Sequence, residues 1–126
     1  MNPVVHFEIP AKNMKRAKGF YETMFGWKIQ AYADDYFMAT TTPLDKNGRP
    51  KKPGAINGGL QRKDRSISSP RVVVSVPNLN RALKQAVARG GKVMQPKTEI
   101  PDMLWYAVIL DTEGNELGLA EIMCSE

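Results

Sequence analysis

The sequence has few of the residues from which disulfide frameworks and histidine-rich metal sites are built. Its 126 residues include one cysteine, Cys124, and one histidine, His6. A single cysteine excludes a disulfide framework within the chain. No histidine stands near Cys124 in the sequence to activate it, so we do not expect a nucleophilic thiol. A single histidine also excludes a histidine-rich metal site formed by one chain alone.

Long apolar runs are absent as well. No stretch approaches the roughly 18 consecutive apolar residues that a transmembrane helix needs. The first residues do not show a basic start followed by an apolar segment, which is the pattern of a secretory signal. The sequence therefore predicts a cytoplasmic protein with no membrane partner.

The charge is basic but lacks the arrangement typical of nucleic-acid binding. Lysine and arginine number 18 against 13 acidic residues, which gives a net charge of +5. The surplus is concentrated in residues 46–52 and 61–65, both loop-like in composition. Nucleic-acid binders place basic residues on one helix face or among stacking aromatics, and neither pattern is present. We expect no nucleic-acid partner, and a positive field that favours small anions.

The most informative stretch is residues 3–29, which reads as strand, helix, strand. Apolar residues alternate with His6 and Glu8, so both polar side chains should lie on one face of the first strand. Pro10 is expected to end that strand, and Asn13 stands where a helix N-cap belongs. Gly26 should end the helix.

The same pattern returns in the second half of the chain. Residues 71–93 again read as a strand, a cap at Asn78, a helix and a new strand. Self-similarity at ~60 residues indicates duplication of one structural unit. We predict one α+β domain over residues 1–126, made of tandem βαβββ modules at 3–60 and 71–122 joined by a linker at 61–70. Two mostly antiparallel sheets of this kind should leave a cup between them for a small molecule.

The pattern resembles the vicinal oxygen chelate superfamily of glyoxalases, extradiol dioxygenases and bleomycin-resistance proteins. The resemblance covers nearly the whole chain and rests on these segments: HFEIPAKNMKRAKGFYETMFGWKI, VVVSVPNLNRALKQAVARGGKV, PKTEIP and DTEGNELGLAE. It implies the glyoxalase/bleomycin resistance-like fold, a cup for a metal or a ligand, and assembly as a homodimer. It does not imply one activity, because this fold hosts lyases, dioxygenases, epimerases and binding proteins.

The resemblance also implies four metal-ligand positions, on the first and last strand of each module. His6 matches the first position. The equivalent position in module two is Arg71, which cannot ligate a cation because it stays protonated. The position in the last strand is Gly118, and the fourth strand offers only Asn57. We therefore expect no metal and no other cofactor. A rearranged carboxylate-rich site is the remaining way to hold a divalent metal; it would use His6 and Glu8 with Glu121 and either Glu99 or Asp102.

Two main functions follow from these residues. The first is binding of a small organic molecule, anionic or aromatic, in a cup lined by His6, Asn57, Arg71 and Trp105. The alternative is a lyase, isomerase or dioxygenase of the same superfamily that uses His6 and Glu8 for acid–base chemistry.

Each of these residues also has a structural alternative. His6 can be a histidine that is hydrogen-bonded within the sheet, and Glu8 a strand carboxylate paired with Arg71. Trp105 and Tyr106 should point to opposite sides of one strand, so that one ring faces the cup and the other packs on a helix. A third possible function, an assembly or regulatory domain, would have a closed or filled cup.

Overall fold

The structure is a computed structural model that describes residues 1–123, so Cys124 lies outside the described residues. The chain forms two compact units. The first unit is His6–Pro70, and the second combines Met1–Val5 with the chain from Arg71 onward. The backbone N–H of Ser75 donates to the carbonyl of Pro3 over 2.9 Å, within the second unit.

The first unit contains one helix and a four-stranded sheet. In chain order its elements are β1 (Val4–Ala11, whose first two residues belong to the second unit), α1 (Met14–Phe25), β2 (Lys28–Ala33), β3 (Tyr36–Thr40) and β4 (Gly58–Arg62). The strands lie in the order β2-β3-β4-β1. The β1–β4 pair is parallel, and the other two pairs are antiparallel.

The second unit repeats this arrangement. Its elements are β5 (Arg71–Ser75), α2 (Leu79–Ala88), β6 (Lys92–Ile100), β7 (Leu104–Leu110) and β8 (Glu116–Ile122). The strand order is β5-β8-β7-β6, with β5–β8 parallel and the other pairs antiparallel. The predicted α+β fold of tandem, mostly antiparallel βαβββ modules is confirmed.

The helices begin where the sequence predicts. The side chain of Asn13 accepts a hydrogen bond from the backbone N–H of Arg16 at 2.9 Å, and Asn78 does the same for Arg81 at 2.9 Å. Each bond satisfies a backbone N–H that has no partner within the helix. Gly26 ends α1 in the left-handed conformation, at a φ of 69°, which glycine adopts without steric cost.

One face of each sheet packs on the helix of its own unit. In the first unit the buried residues Ala11, Met14, Ile29, Ala39 and Leu60 form the core, with Phe7 and Ile9 of β1 packed against it. In the second unit the core is Val76, Leu79, Ala107 and Leu119. We call the opposite face of each sheet, turned away from its helix, the far face.

Three local predictions differ from the structure. Pro10 does not end β1, which continues to Ala11, because an extended backbone accommodates the φ of proline at the loss of one N–H donor. The sequence predicts a short glycine-rich strand over residues 54–60 as the fourth strand, but this strand begins at Gly58. Residues 61–70, expected to be a linker, include the end of β4 and the fully buried side chain of Ile67.

Within residues 1–123, no helix has the length and apolar character needed to cross a bilayer.

Candidate functional site

The far face of the first sheet carries the polar residues of β1. Phe7 and Ile9 pack with the core on the α1 side, so the alternation of the strand places His6 and Glu8 on the far face. This confirms the predicted sharing of one face. Glu8 is only 5% exposed and His6 is half-buried. A carboxylate this deeply buried needs hydrogen-bond partners in the protein.

Tyr36 links the two residues. Its hydroxyl oxygen lies 2.7 Å from Nε2 of His6, and the same hydroxyl donates to Oε2 of Glu8 over 3.2 Å. Tyr36 opens β3, which is separated from β1 by β4 in the sheet. The ring therefore reaches across β4 to meet β1. His6, Tyr36 and Glu8 form a hydrogen-bonded chain that we call the His–Tyr–Glu chain.

The direction of the hydrogen bond between His6 and Tyr36 depends on the tautomer of the imidazole. A tyrosine hydroxyl has one proton, and here it is donated to Glu8. In that arrangement a protonated Nε2 of His6 donates to the tyrosine oxygen at 2.7 Å; in the other tautomer, Nε2 accepts from the hydroxyl. Burial lowers the pKa of His6 below 6.5, and the Glu8 carboxylate opposes part of that decrease. The imidazole is therefore neutral at neutral pH.

Gly59 provides the space that Tyr36 occupies. Gly59 is paired with Glu8 on one side, and on the other it lies two residues from Gln61, the partner of Tyr36. A Cβ at Gly59 would overlap the hydroxyl and ring of Tyr36. The absence of a side chain at this position is therefore a condition for the His–Tyr–Glu chain.

The second unit contains a corresponding tyrosine and glycine. Tyr106 is paired with Ala120, two residues from Gly118, which repeats the diagonal relation of Tyr36 to Gly59. A Cβ at Gly118 would lie 2.7 Å from the Tyr106 hydroxyl and 2.9 Å from Cγ2 of Val73. Gly118 is the position at which the resemblance implies a glutamate ligand.

Arg71 lies on the far face of the second sheet, in a buried ion pair. Its Nη1 is 3.2 Å from Oε1 of Glu116, and its side chain is 1% exposed. A buried guanidinium needs such a partner to offset its lost hydration. The predicted binding of an anion by Arg71 stays a prediction. In the structure, its guanidinium contacts the carboxylate of Glu116.

Asn57 precedes β4, and its side chain forms hydrogen bonds with the backbone that follows β3. Its Oδ1 accepts from the N–H of Thr41 at 2.7 Å and from the N–H of Thr42 at 3.0 Å. The side chain thereby fixes the chain as it leaves β3. Its predicted role in ligand binding stays a prediction.

Trp105 lies on the other side of its sheet from Arg71. It packs against the α2 core, and Nζ of Lys97 lies 4.6 Å from the centroid of its ring. The alternation of β7 places Tyr106, and not Trp105, on the face that Arg71 occupies. The predicted role of Trp105 in ligand binding stays a prediction. The sequence predicted opposite sides for the two rings but did not say which ring took which side.

The residues at the four implied metal positions do not suit a cation. His6 Nε2 is occupied by Tyr36, Arg71 is itself a cation, and neither Gly118 nor the glycines that begin β4 have side chains. Glu121, considered for a rearranged site, accepts from the backbone N–H of Leu79 over 2.7 Å at the start of α2. Among residues 1–123, no group of three or more His, Cys, Asp or Glu side chains is placed to hold a metal ion.

Tyr36 was missed as a site residue in the sequence. Residues 36–41 are rich in aromatic and β-branched side chains, which predicts a strand but no site. The available signal was Gly58-Gly59 in a strand, because glycine there often marks the close approach of another group. That signal predicts an approach but does not name the approaching side chain.

Known proteins share this sequence pattern and fold. The profile of the Glyoxalase/Bleomycin resistance protein/Dioxygenase superfamily matches residues 4–119. A glyoxylase-like domain-containing protein from Didymella fabae is 32% identical over 113 residues, which cover 86% of this chain and 84% of that protein.

Solved structures of low sequence identity have the same fold. Methylmalonyl-CoA epimerase from Mycobacterium tuberculosis is 14% identical, with a TM-score of 0.64 over 96% of this chain and 88% of that one. A glyoxalase/bleomycin resistance protein/dioxygenase superfamily member from Vibrio splendidus 12B01 is 11% identical, with a TM-score of 0.63 over 96% and 99%. The chain described here belongs to the glyoxalase/bleomycin resistance protein/dioxygenase superfamily.

Proposed function

We propose that this protein binds a small organic molecule on the far face of the first unit, without a resident metal. The observation that carries the proposal is the 2.7 Å contact between His6 Nε2 and the Tyr36 hydroxyl. The only histidine of the chain is thereby oriented by a neutral phenol. Oriented polar groups on a rigid sheet face are what a small-molecule site requires.

The donor set supports a metal-free site. Of the four implied ligand positions only His6 keeps a ligating side chain, and its Nε2 is already hydrogen-bonded. A divalent ion would have to displace Tyr36 and would still lack three ligands. Direct hydrogen bonding to an organic ligand needs no such rearrangement.

An acid–base enzyme is the second candidate, and the 2.7 Å contact that orients the neutral imidazole of His6 favours it. In the tautomer that donates Nε2–H to Tyr36, Nδ1 of His6 is a neutral base whose ring is fixed in orientation. Such a nitrogen can take a proton from the carbon next to a carbonyl group, as a lyase or isomerase requires. The Mycobacterium tuberculosis protein of the same fold is an epimerase, which is compatible with this candidate.

Thermal unfolding of metal-stripped protein tests the metal-free proposal. Ni²⁺, Mn²⁺, Zn²⁺ or Fe²⁺ is titrated into wild type and into His6→Ala. A metal that binds only the native state stabilises it by about 2.7 kcal/mol at a hundred times its dissociation constant, which is a shift of several degrees. We expect no shift that depends on His6. A rise in wild type that vanishes in His6→Ala would contradict the proposal.

Hydrogen–deuterium exchange separates the two candidates. A panel of small carbonyl acids is incubated with the protein in D₂O, and deuterium at the carbon next to the carbonyl is followed by NMR. Exchange that is catalysed by wild type and lost in His6→Gln would establish the enzyme. Binding without exchange would support the binding protein.

Cellular location and assembly complete the proposal. We propose a cytoplasmic homodimer, based on the absence of long apolar runs in the sequence and on the assembly implied by the superfamily. Sedimentation of the purified protein tests the dimer directly.

A further inference from the structure

The outer side of α1 exposes apolar side chains next to a cluster of basic ones. We infer that this side of the helix binds the surface of an anionic lipid bilayer. It lies opposite the far face, so this surface is separate from the site of the proposed function.

Five apolar side chains in and just after the second half of α1 form one patch, which we call the α1 patch. Phe20 and Phe25 are each 56% exposed, and Met24 is 58% exposed. The ring of Tyr21 connects the two phenylalanines, with centroid distances of 5.3 Å to Phe20 and 6.3 Å to Phe25. Trp27 stacks on Tyr21 at 5.1 Å. Exposed apolar patches of this kind mark surfaces that bind a protein or a membrane.

Basic side chains adjoin the α1 patch. Residues 12–28 include one acidic residue, Glu22, and five basic ones: Lys12, Lys15, Arg16, Lys18 and Lys28. Within the described part of the chain, residues 1–123, none of these five forms an ion pair with an acidic side chain. The carboxylate of Glu22 accepts from the backbone N–H of Ile29 over 3.3 Å, at the start of β2. The positive charge of this segment is therefore not neutralised within the described residues.

The basic and apolar groups are neighbours on the surface. Lys12 and Arg16 line one open groove together with Phe20. Arg16, Phe20 and Met24 follow one another at intervals of four residues, so they form a row along one side of the helix. The loop at residues 46–52 carries four basic residues but no aromatic one. The combination of charge and aromatic rings therefore distinguishes α1 from the other basic segment.

This combination favours a lipid surface over a second copy of the chain. Two copies related by a two-fold axis would bring the same basic residues together, and like charges in contact oppose association. An anionic bilayer offers acidic headgroups to the basic side chains and an apolar boundary to the aromatic ones. Binding at a surface needs no long apolar run. The lack of such a run, from which the sequence predicts no membrane partner, therefore does not bear on this side of α1.

Co-sedimentation with lipid vesicles tests the inference. The whole protein is mixed at low salt with vesicles of phosphatidylcholine, either pure or containing about 30% phosphatidylserine, a lipid that attracts basic segments. We expect binding to the anionic vesicles to be at least tenfold tighter than binding to the neutral ones. Most of this binding should be lost at high salt, because salt screens the attraction between exposed charges.

A matched pair of variants tests the basic residues. Lys15→Gln/Arg16→Gln should weaken binding to the anionic vesicles at least fivefold. Lys46→Gln/Arg49→Gln removes the same two charges from the basic loop and should weaken binding less than twofold. All four side chains are exposed, so we expect both variants to fold.

A second pair tests the α1 patch. Phe20→Ser/Met24→Ser should weaken binding at least threefold, because two side chains that enter the lipid boundary are lost. Val87→Ser/Val93→Ser removes apolar side chains that are 56% and 39% exposed in the second unit, and should bind as wild type does.

Four results would overturn the inference. Equal binding to neutral and anionic vesicles would show that charge is not recognised. Equal losses in the two charge variants would show a general positive field rather than a surface on α1. Full binding by Phe20→Ser/Met24→Ser would exclude the α1 patch. Absence of vesicle binding, with sedimentation that changes from dimer to monomer in Phe20→Ser/Met24→Ser, would show that a second copy covers the patch. The proposed function is tested through His6 and added metal, so the two proposals can fail separately.

Discussion

At the scale of single residues, the polar face of the first unit depends on one hydroxyl group. Tyr36 connects the imidazole of His6 to the buried carboxylate of Glu8. A hydrogen bond to a charged group contributes about 1.5–3 kcal/mol to stability, more than a neutral one. Removing the hydroxyl should therefore affect the fold as well as the site.

We predict that Tyr36→Phe lowers the free energy of unfolding by about 1–2 kcal/mol, since both Glu8 and His6 lose a hydrogen-bond partner. Urea denaturation measures the change. Tyr32→Phe, on an exposed ring, should stay within about 0.5 kcal/mol of wild type. Equal stability of Tyr36→Phe and wild type would show that the chain contributes nothing to stability.

Arg71 leads to a second prediction at this scale. Arg71→Met leaves Glu116 without its guanidinium partner in a buried position, so we expect a loss of about 3 kcal/mol. The double variant Arg71→Met/Glu116→Leu removes both charges and should recover much of that loss. Chemical denaturation of the three proteins tests this. A double variant as unstable as the single one would show that the pair is not the main partner of either charge.

Some residues could be assigned from sequence and others could not. The common face of His6 and Glu8 followed from strand alternation alone. The contact with Tyr36 could not be predicted, because it depends on the register of β3 against β4, which no local pattern specifies. The side taken by Trp105 was unpredictable for a related reason, since both faces of β7 carry apolar side chains.

At the scale of elements, the two modules share a diagonal tyrosine–glycine contact. In the first it joins β3 to β4 through Tyr36 and Gly59, and in the second it joins β7 to β8 through Tyr106 and Gly118. Each ring lies across the neighbouring strand at a residue with no side chain. Such diagonal neighbours contribute to pairing between strands.

We predict that Gly59→Ala and Gly118→Ala each destabilise the protein by about 1–3 kcal/mol, because the new methyl group meets the tyrosine. Each glycine variant is combined with Tyr→Ala at its own partner in a double-mutant cycle. A coupling energy of about 1 kcal/mol is expected in both modules. Additive effects would mean that the glycines are required for some reason other than the rings.

The starts of the two helices were the boundaries that the sequence predicted best. The caps at Asn13 and Asn78 depend on a side chain and a backbone N–H three residues later, so local sequence contains all that is needed. The start of β4 was misplaced by four residues. Its beginning is set by pairing with β1 and β3, which are distant in sequence.

At the scale of the whole molecule, the lowered pKa of His6 links stability to pH. The folded state binds the histidine proton less tightly than the unfolded state, whose pKa is near 6.5. Stability from this group is therefore complete above that value and is lost as the pH falls through the folded pKa. The pKa values of Asp45 and Asp111 are also lowered, because the backbone N–H groups of Arg49 and Asn115 donate to their carboxylates. Their ordinary pKa is 3.8, far below that of histidine.

We predict that between pH 6.5 and about 5 the wild type loses more stability than His6→Gln does. The stability that depends on the two aspartates is lost only at lower pH, and both proteins lose it equally. Urea denaturation at intervals of half a pH unit measures the difference. Parallel curves for the two proteins over this range would show that the histidine pKa is the same in the folded and unfolded states.

The duplicated architecture was visible in the sequence at this scale, since both halves repeat the order of their elements. The membership of Met1–Val5 in the second unit was not visible. It depends on contacts such as that of Pro3 with Ser75, more than 70 residues away.

That contact has a consequence for synthesis on the ribosome. Pro3 is translated before any residue of the first unit, whereas its partner Ser75 is translated after all of them. At cellular translation rates the delay is on the order of 10 s. The first unit can fold during that interval. The second unit cannot complete its fold until Pro3 pairs with the newly made Ser75. Residues made before the first unit thus reach their final partners only after that whole unit has been made.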